Sequence, residues 1–222
     1  MHIGLIGGIG PAATEFYYRA LVKIYAQANR RLDLTIANAD AREMVSNLEA
    51  GNQQAQADIF ARYIDQLKAA GCEAVALTSI GAHFCIGALE PMSSLPIISA
   101  LPALEQHFSG MGVKKIGVLG TQAVMVSGMY GLKGVDVATV PDKELQKAHA
   151  HYIAMAIAGR ATDEQRIYFE QAALRLVEEQ HVEAIVLGGT DLFLAFDKPS
   201  YPYRTVDCAQ VHAAAIAQLG MG

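Results

Sequence analysis

The chain has 222 residues, of which 52% are hydrophobic, and carries 22 Asp and Glu against 17 Lys and Arg for a formal net charge of −5. That is enough for one large α/β domain or two smaller ones of about 100 residues each. The absence of a basic run argues against nucleic acid as a partner, and no apolar stretch reaches the roughly 18 to 20 residues a membrane span needs.

The opening HIGLIG, residues 2–7, has no basic segment before it and runs straight into a turn-and-helix pattern. It reads as the first buried strand of a cytoplasmic protein rather than as a signal segment. Further strands are expected at 33–38, 73–78, 96–99, 115–119, 135–140, 183–188 and 203–206. Helical stretches separate them at 12–27, 53–70, 101–109, 143–158, 163–180 and 208–219. Apolar strand runs without polar alternation suit parallel strands buried on both faces, joined by helical crossovers. The three cysteines, Cys72, Cys85 and Cys208, are odd in number and lack CxxC spacing. They point to a reducing compartment, with neither a disulfide framework nor a zinc site.

A repeat organises these elements. Ile3-Gly4-Leu5-Ile6-Gly7 returns as Ile116-Gly117-Val118-Leu119-Gly120, an offset of 113. Glu73-Ala74-Val75-Ala76-Leu77 returns as Glu183-Ala184-Ile185-Val186-Leu187, an offset of 110. Two matches in the same order indicate a duplicated unit. The expectation is an α/β protein of two pseudo-symmetric halves, each a four-stranded parallel sheet flanked by helices, with a cleft between them. One half takes 1–97 plus the returning C-terminal helix, 207–222; the other takes 98–206. Ligands of open parallel sheets bind beyond the carboxyl ends of the strands. Facing halves would therefore bring loops 7–14 and 120–127, and 78–83 and 188–193, to opposite sides of one small ligand.

Within those loops, Gly8 and Gly10 let the backbone approach a ligand, and Pro11 opens a helix whose free N–H groups favour an anion. Gly8, Gly10 and Ala13 also satisfy a loose dinucleotide-binding pattern, but no acidic residue ends the second strand at the required distance, Asp40 coming too late. No cofactor is expected. Thr14, Ser79, Thr121 and Thr190 offer hydroxyls at strand ends, and Arg42 could hold a carboxylate bidentately. His83 is a candidate base or a structural histidine at a helix start. Asp191 could orient a base, bind an ammonium group or cap the helix that follows it. His149 and His151 lie two apart on a helix and cannot chelate together; no metal is expected.

The same loops carry a resemblance. GGIGPAAT at 7–14 is similar to the GGMGPxAT opening of the aspartate-racemase branch of the aspartate/glutamate racemase family. Ser79-Ile80-Gly81-Ala82-His83 stands where that family has Cys-Asn-Thr-Ala-His. Leu187-Gly188-Gly189-Thr190-Asp191-Leu192 stands where it has Leu-Gly-Cys-Thr-Glu-Leu. Gly120-Thr121 through Tyr130, and Val206-Asp207-Cys208 through His212, resemble its remaining loops. The resemblance implies a PLP-independent isomerase acting on a small, acidic amino acid, in a homodimer. In that family one thiol removes the α-proton and another returns it. Ser79 and Gly189 occupy the two thiol positions here, and a hydroxyl is a far weaker acid than a thiol while glycine offers nothing. Three readings follow: a racemase or epimerase with an atypical base drawn from Ser79, His83 and Asp191; a different carbanion reaction such as isomerisation or decarboxylation; or a carboxylate-binding protein without turnover.

Overall fold

The structure, a computed structural model, describes residues 1–7 and 10–222. Among the described residues seven strands form two parallel sheets. The first has the order β2-β1-β3, from β1 (His2–Gly7), β2 (Asp33–Asn38) and β3 (Ala74–Leu77). The second has the order β5-β4-β6-β7, from β4 (Lys115–Leu119), β5 (Asp136–Ala138), β6 (Ala184–Leu187) and β7 (Thr205–Asp207). The strand order of the second sheet repeats that of the first. β1 lies between β2 and β3 as β4 lies between β5 and β6.

The repeat is incomplete at one edge. The expected strand at 96–99 shrinks to a single bridge, Val75 to Ile97, where β7 pairs with β6 over three residues. Pro96 can accept from Val75 N–H at 3.0 Å but has no N–H to return, which keeps a ladder from extending. Three residues after Pro96, Ser99 already caps the next helix, accepting from Leu101 N–H.

Helices α1 (Pro11–Gln27), α2 (Ala41–Glu49), α3 (Gln53–Ala69), α4 (Ile86–Leu89) and α5 (Ala100–Met111) surround or leave the first sheet. α6 (Gln122–Val126), α7 (Gly128–Gly131), α8 (Asp142–Ala158) and α9 (Asp163–Gln180) accompany the second, and α10 (Cys208–Met221) ends the chain. Their starts follow local chemistry: Asp40, Asn52, Thr121, Thr162 and Asp207 each accept a first-turn N–H, and Thr162 with Gln165 completes a reciprocal box. α7 is one left-handed turn, with φ of 57°, 55°, 60° and 81° from Gly128 to Gly131. Met129 and Tyr130 hold a conformation that costs a non-glycine residue on the order of 1 kcal/mol or more.

α10 returns to the first sheet and packs against α1 and α5. α1 presents Tyr17, Leu21 and Tyr25 on one stripe, and α10 answers with Ala209, Ala213, Ile216 and Ala217 over Ile3, Leu5, Ala74 and Ala76. The alanines let the helix lie close, and a side chain such as Ile216, fully buried here, contributes about 2 kcal/mol. A second apolar cluster runs without interruption from Ile6, Met44 and Phe60 to Val186, Phe169 and Met155, joining both sheets through one core.

Candidate active site

Asp191 lies at the centre of the expected site. It follows β6, is fully buried and has no cation beside it. Its Oδ1 accepts from Ala13 N–H at 2.9 Å and its Oδ2 from Tyr152 OH at 3.2 Å. The carboxylate therefore sits on the positive end of α1, where a helix start favours an anion. Burial still pushes its pKa up to about 6, against the pull of those two hydrogen bonds. Gly10 is glycine for a reason visible here: a Cβ would stand 2.7 Å from Asp191 Oδ1. The helix start expected to receive a ligand's carboxylate is filled from within.

The other helix start is filled too. Gln122 N–H donates to His149 Nδ1 at 3.3 Å, and Val124 N–H to Thr121 Oγ1 at 3.2 Å. Thr121 is thus the cap of α6.

Gly189 has the most constrained surroundings. A Cβ built on it would overlap the Tyr152 ring at Cε2 and stand 2.7 Å from Cζ and 2.8 Å from Cδ2. Real Cβ atoms do not approach carbon that closely, so Tyr152, reaching over from α8, holds the space that a side chain at 189 would need. Tyr152 is buried, and burial followed by the nearby Asp191 raises its pKa far above the ordinary phenol value, with Thr190 beside it as a hydrogen-bond partner. Thr190 is itself buried.

On the first-sheet side, Ser79 is 4% exposed and Thr78 and His83 are buried. Thr14 Oγ1 meets Thr78 Oγ1 at 3.4 Å, and Thr78 Oγ1 donates to Ile6 O at 3.1 Å. His83 does not present a free nitrogen. Ala100 N–H donates to Nε2 at 3.2 Å, so Nε2 is unprotonated, and Nδ1 donates to Ser79 O at 3.0 Å. Burial pulls its pKa down to about 4. Of the two roles open to it, the geometry gives the structural one: the ring ties the 79–83 loop to the start of α5.

A second histidine pins the same crossover. His212 Nε2 donates to Ile98 O at 2.8 Å, which leaves Nδ1 to accept from Tyr17 OH at 2.9 Å. The two imidazoles stand 6.1 Å apart, and burial, then the neighbouring His83, brings His212 down to about 3. Tyr130 OH, carried by the left-handed α7, donates to Gly81 O at 3.1 Å. The second sheet's loop thereby reaches into the Ser79–His83 turn.

Arg42 is not brought to this cluster. Its side chain is 92% exposed and grips its own helix cap, with NH2 2.9 Å from Asp40 Oδ2. Gly8 lies outside the described residues. Cys85 is pushed up to about 12 by burial, and Cys208, fully buried, has its Sγ 2.6 Å from Leu187 O; neither is a thiolate nucleophile as it stands. Among the described residues no group of three or more His, Cys, Asp or Glu could hold a metal ion.

Tyr152 and Tyr130 are the residues that sequence reasoning did not single out. Gly189, where the resemblance puts a cysteine, is a signal that something else fills the volume, though not of which residue does so.

Residues 6–216 match the family described as Asp/Glu/Hydantoin racemase. The chain belongs to that family. The fold is similar to that of a candidate Asp/Glu racemase from Yersinia pestis, at 25% identity, 100% of both chains and a TM-score of 0.85. An aspartate racemase homologue from Pyrococcus horikoshii OT3 matches at 22% identity over 100% of this chain and 99% of its own, with a TM-score of 0.79. Picrophilus torridus aspartate racemase matches at 16% identity over 99% and 95%, with a TM-score of 0.74. The last two speak for the fold. Among the described residues no helix is long and apolar enough to cross a membrane.

Proposed function

We propose that this racemase-family chain binds a small acidic amino acid or related carboxylate between its halves, 1–97 with 207–222 and 98–206, and does not perform two-base racemisation. The observation that carries this reading is Tyr152 in the space of a side chain at 189. Racemisation without a cofactor needs one group on each face of the α-carbon, near neutral in pKa and free to move a proton. Position 189 supplies none and has no room for one. His83 has both ring nitrogens engaged by main chain, and Ser79 has no base of its own within its turn.

Binding is supported by what remains. Thr14 and Thr78 hydroxyls meet beyond the first sheet, Ser79 and Thr190 follow β3 and β6, and the Asp191 carboxylate rests on a helix start that favours an anion. A ligand with an acidic group would take over Ala13 N–H while Asp191 turns to its ammonium. Because Ser79, Thr121, Thr190 and Asp191 are nearly or wholly shielded from solvent, admission requires the two sets of loops to part.

One observation favours a second reading. Asp191, with a pKa of about 6 and hydrogen-bonded to Tyr152, is a base and donor pair on one face only. That arrangement suits protonation or deprotonation of a carboxylate from a single side, as in isomerisation or decarboxylation.

Each enantiomer of aspartate and glutamate should be tested by calorimetry and, in deuterated water, by proton NMR. Binding of one or more without loss of the Cα–H signal is the expected result. Exchange with inversion would overturn the absence of racemisation, and no binding across the panel would overturn the ligand class. Consumption of maleate or a substituted malonate would move the assignment to the single-face reading.

A further inference from the structure

A separate cavity runs along the outer side of α1. It has a volume of about 710 Å³ and lies between α1, α10 and the turn after Asp191. Ala12, Phe16, Ala20, Lys23, Ile24 and Gln27 recur on one face of α1, so the groove follows that helix for roughly 22 Å at 1.5 Å per residue. Phe16, Ala20 and Ile24 are half-buried, and across from them stands Phe193, whose ring centroid is 5.1 Å from that of Phe16.

The charge along this apolar trough is uneven. Arg19 and Lys23, one turn apart, both line it. Among the described residues Arg19 has one ion pair, at 3.8 Å with Glu15, which also lines the groove, both side chains being mostly exposed, and Lys23 forms none. A long apolar trough with two weakly compensated cations midway along it is complementary to a molecule with an apolar body and an anionic head.

We propose that this groove binds a small amphipathic organic anion, a carboxylate or sulfonate on an aromatic or medium-length aliphatic body. The body lies against Phe16, Ile24 and Phe193, and the head sits between Arg19 and Lys23. A second copy of the chain fits the groove less well. A twofold contact would set Arg19 and Lys23 against their own counterparts, like charge on like. The site is distinct from the one around Asp191 and does not depend on what binds there. The two touch mechanically, because Leu194 N–H donates to the carbonyl of Asp191 at 3.1 Å.

The test uses the full chain and 8-anilinonaphthalene-1-sulfonate, followed by fluorescence under native conditions, with decanoate as competitor. Saturable one-to-one binding displaced by decanoate is expected. R19Q with K23Q should weaken it at least fivefold, and A20W, which fills the groove, at least tenfold. Should A20W lose the wild-type circular dichroism spectrum, A214W fills the same space from α10. Absence of saturable binding, or binding indifferent to both the charge and the filling variants, would overturn the proposal. So would a wild-type dimer that excludes the probe and falls apart in A20W, since a second copy would then own the groove.

Discussion

Tyr152 and Gly189 form a complementary pair: the ring of one lies in the volume that the other leaves by having no side chain. The pair decides what position 189 can become. A glycine chosen for backbone freedom would have a positive φ, and Gly189 is not among the residues that do. Its constraint is space.

Gly189→Ala should therefore destabilise the protein by roughly 1–3 kcal/mol, the usual cost of forcing an extra carbon into a filled interior. Tyr152→Ala should cost roughly 3–5 kcal/mol through the cavity it leaves. In the double variant the new methyl enters space the ring has vacated, so the total loss should fall short of the sum by at least 1 kcal/mol. Urea unfolding of the four proteins measures this directly. Strict additivity would mean the two residues do not compete for volume.

Introducing thiols at positions 79 and 189 should not by itself produce racemisation. Ser79→Cys with Gly189→Cys should fold with reduced stability and leave the Cα–H of aspartate and glutamate unexchanged in deuterated water. The sulfur at 189 meets the Tyr152 ring first. Exchange by this double variant, with Tyr152 intact, would show that the ring yields readily.

The pH profile follows from four buried groups. His83 and His212, at about 4 and about 3 against 6.5 for free imidazole, stay neutral in the fold. As pH falls below about 6.5 the unfolded chain takes up protons first, and stability declines. Asp191 and Asp207, both raised to about 6 from 3.8, act in the opposite sense. The folded state holds their protons more tightly, so stability rises as pH falls from about 6 towards 3.8. Wild-type stability should accordingly change little between pH 4 and pH 6. Asp191→Asn removes one opposing group and keeps an acceptor for Ala13 N–H. Its stability should climb with pH more steeply than wild type, by roughly 2 kcal/mol over that window. Parallel curves from urea unfolding at pH 4.5, 5.5 and 6.5 would contradict the assignment.

Tyr130→Phe keeps the ring and deletes the hydroxyl that reaches Gly81 O. A loss of about 1 kcal/mol is expected, together with faster amide hydrogen exchange at residues 79–83. If exchange there is unchanged, the bond does not restrain that turn.

Much of the architecture was readable from residues alone. Buried parallel strands have a plain signature, and the recurrence of IGLIG as IGVLG and of EAVAL as EAIVL carried the repeated strand order. The shortened edge was also written locally, in Pro96 and the capping Ser99, but a proline beside an apolar pair is easily read as the strand's first residue. α2 went unread although Asp40 and Glu43 announce a helix start, because Met44, Val45 and Leu48 are too few for a clear period. In the site, the resemblance pointed to Ser79, Gly189 and Asp191, whereas Arg42 looked available only until Asp40 was seen to hold it. Tyr152 was not legible at all. Its importance comes from α8 carrying its ring onto Gly189, just after β6, a tertiary fact that no spacing along the chain encodes.

The placement of α10 also sets an order of events during synthesis. The face of the first sheet that carries Ile3, Leu5, Ala74 and Ala76 is only partly covered by α1 until Ala213, Ile216 and Ala217 arrive, so β1 and β3 must wait for a helix made well after them. The second sheet, whose four strands all precede α10, is under no such delay and can consolidate while the ribosome is still at work. A nascent chain stalled before position 208 should thus be most vulnerable to proteases around β1 and β3.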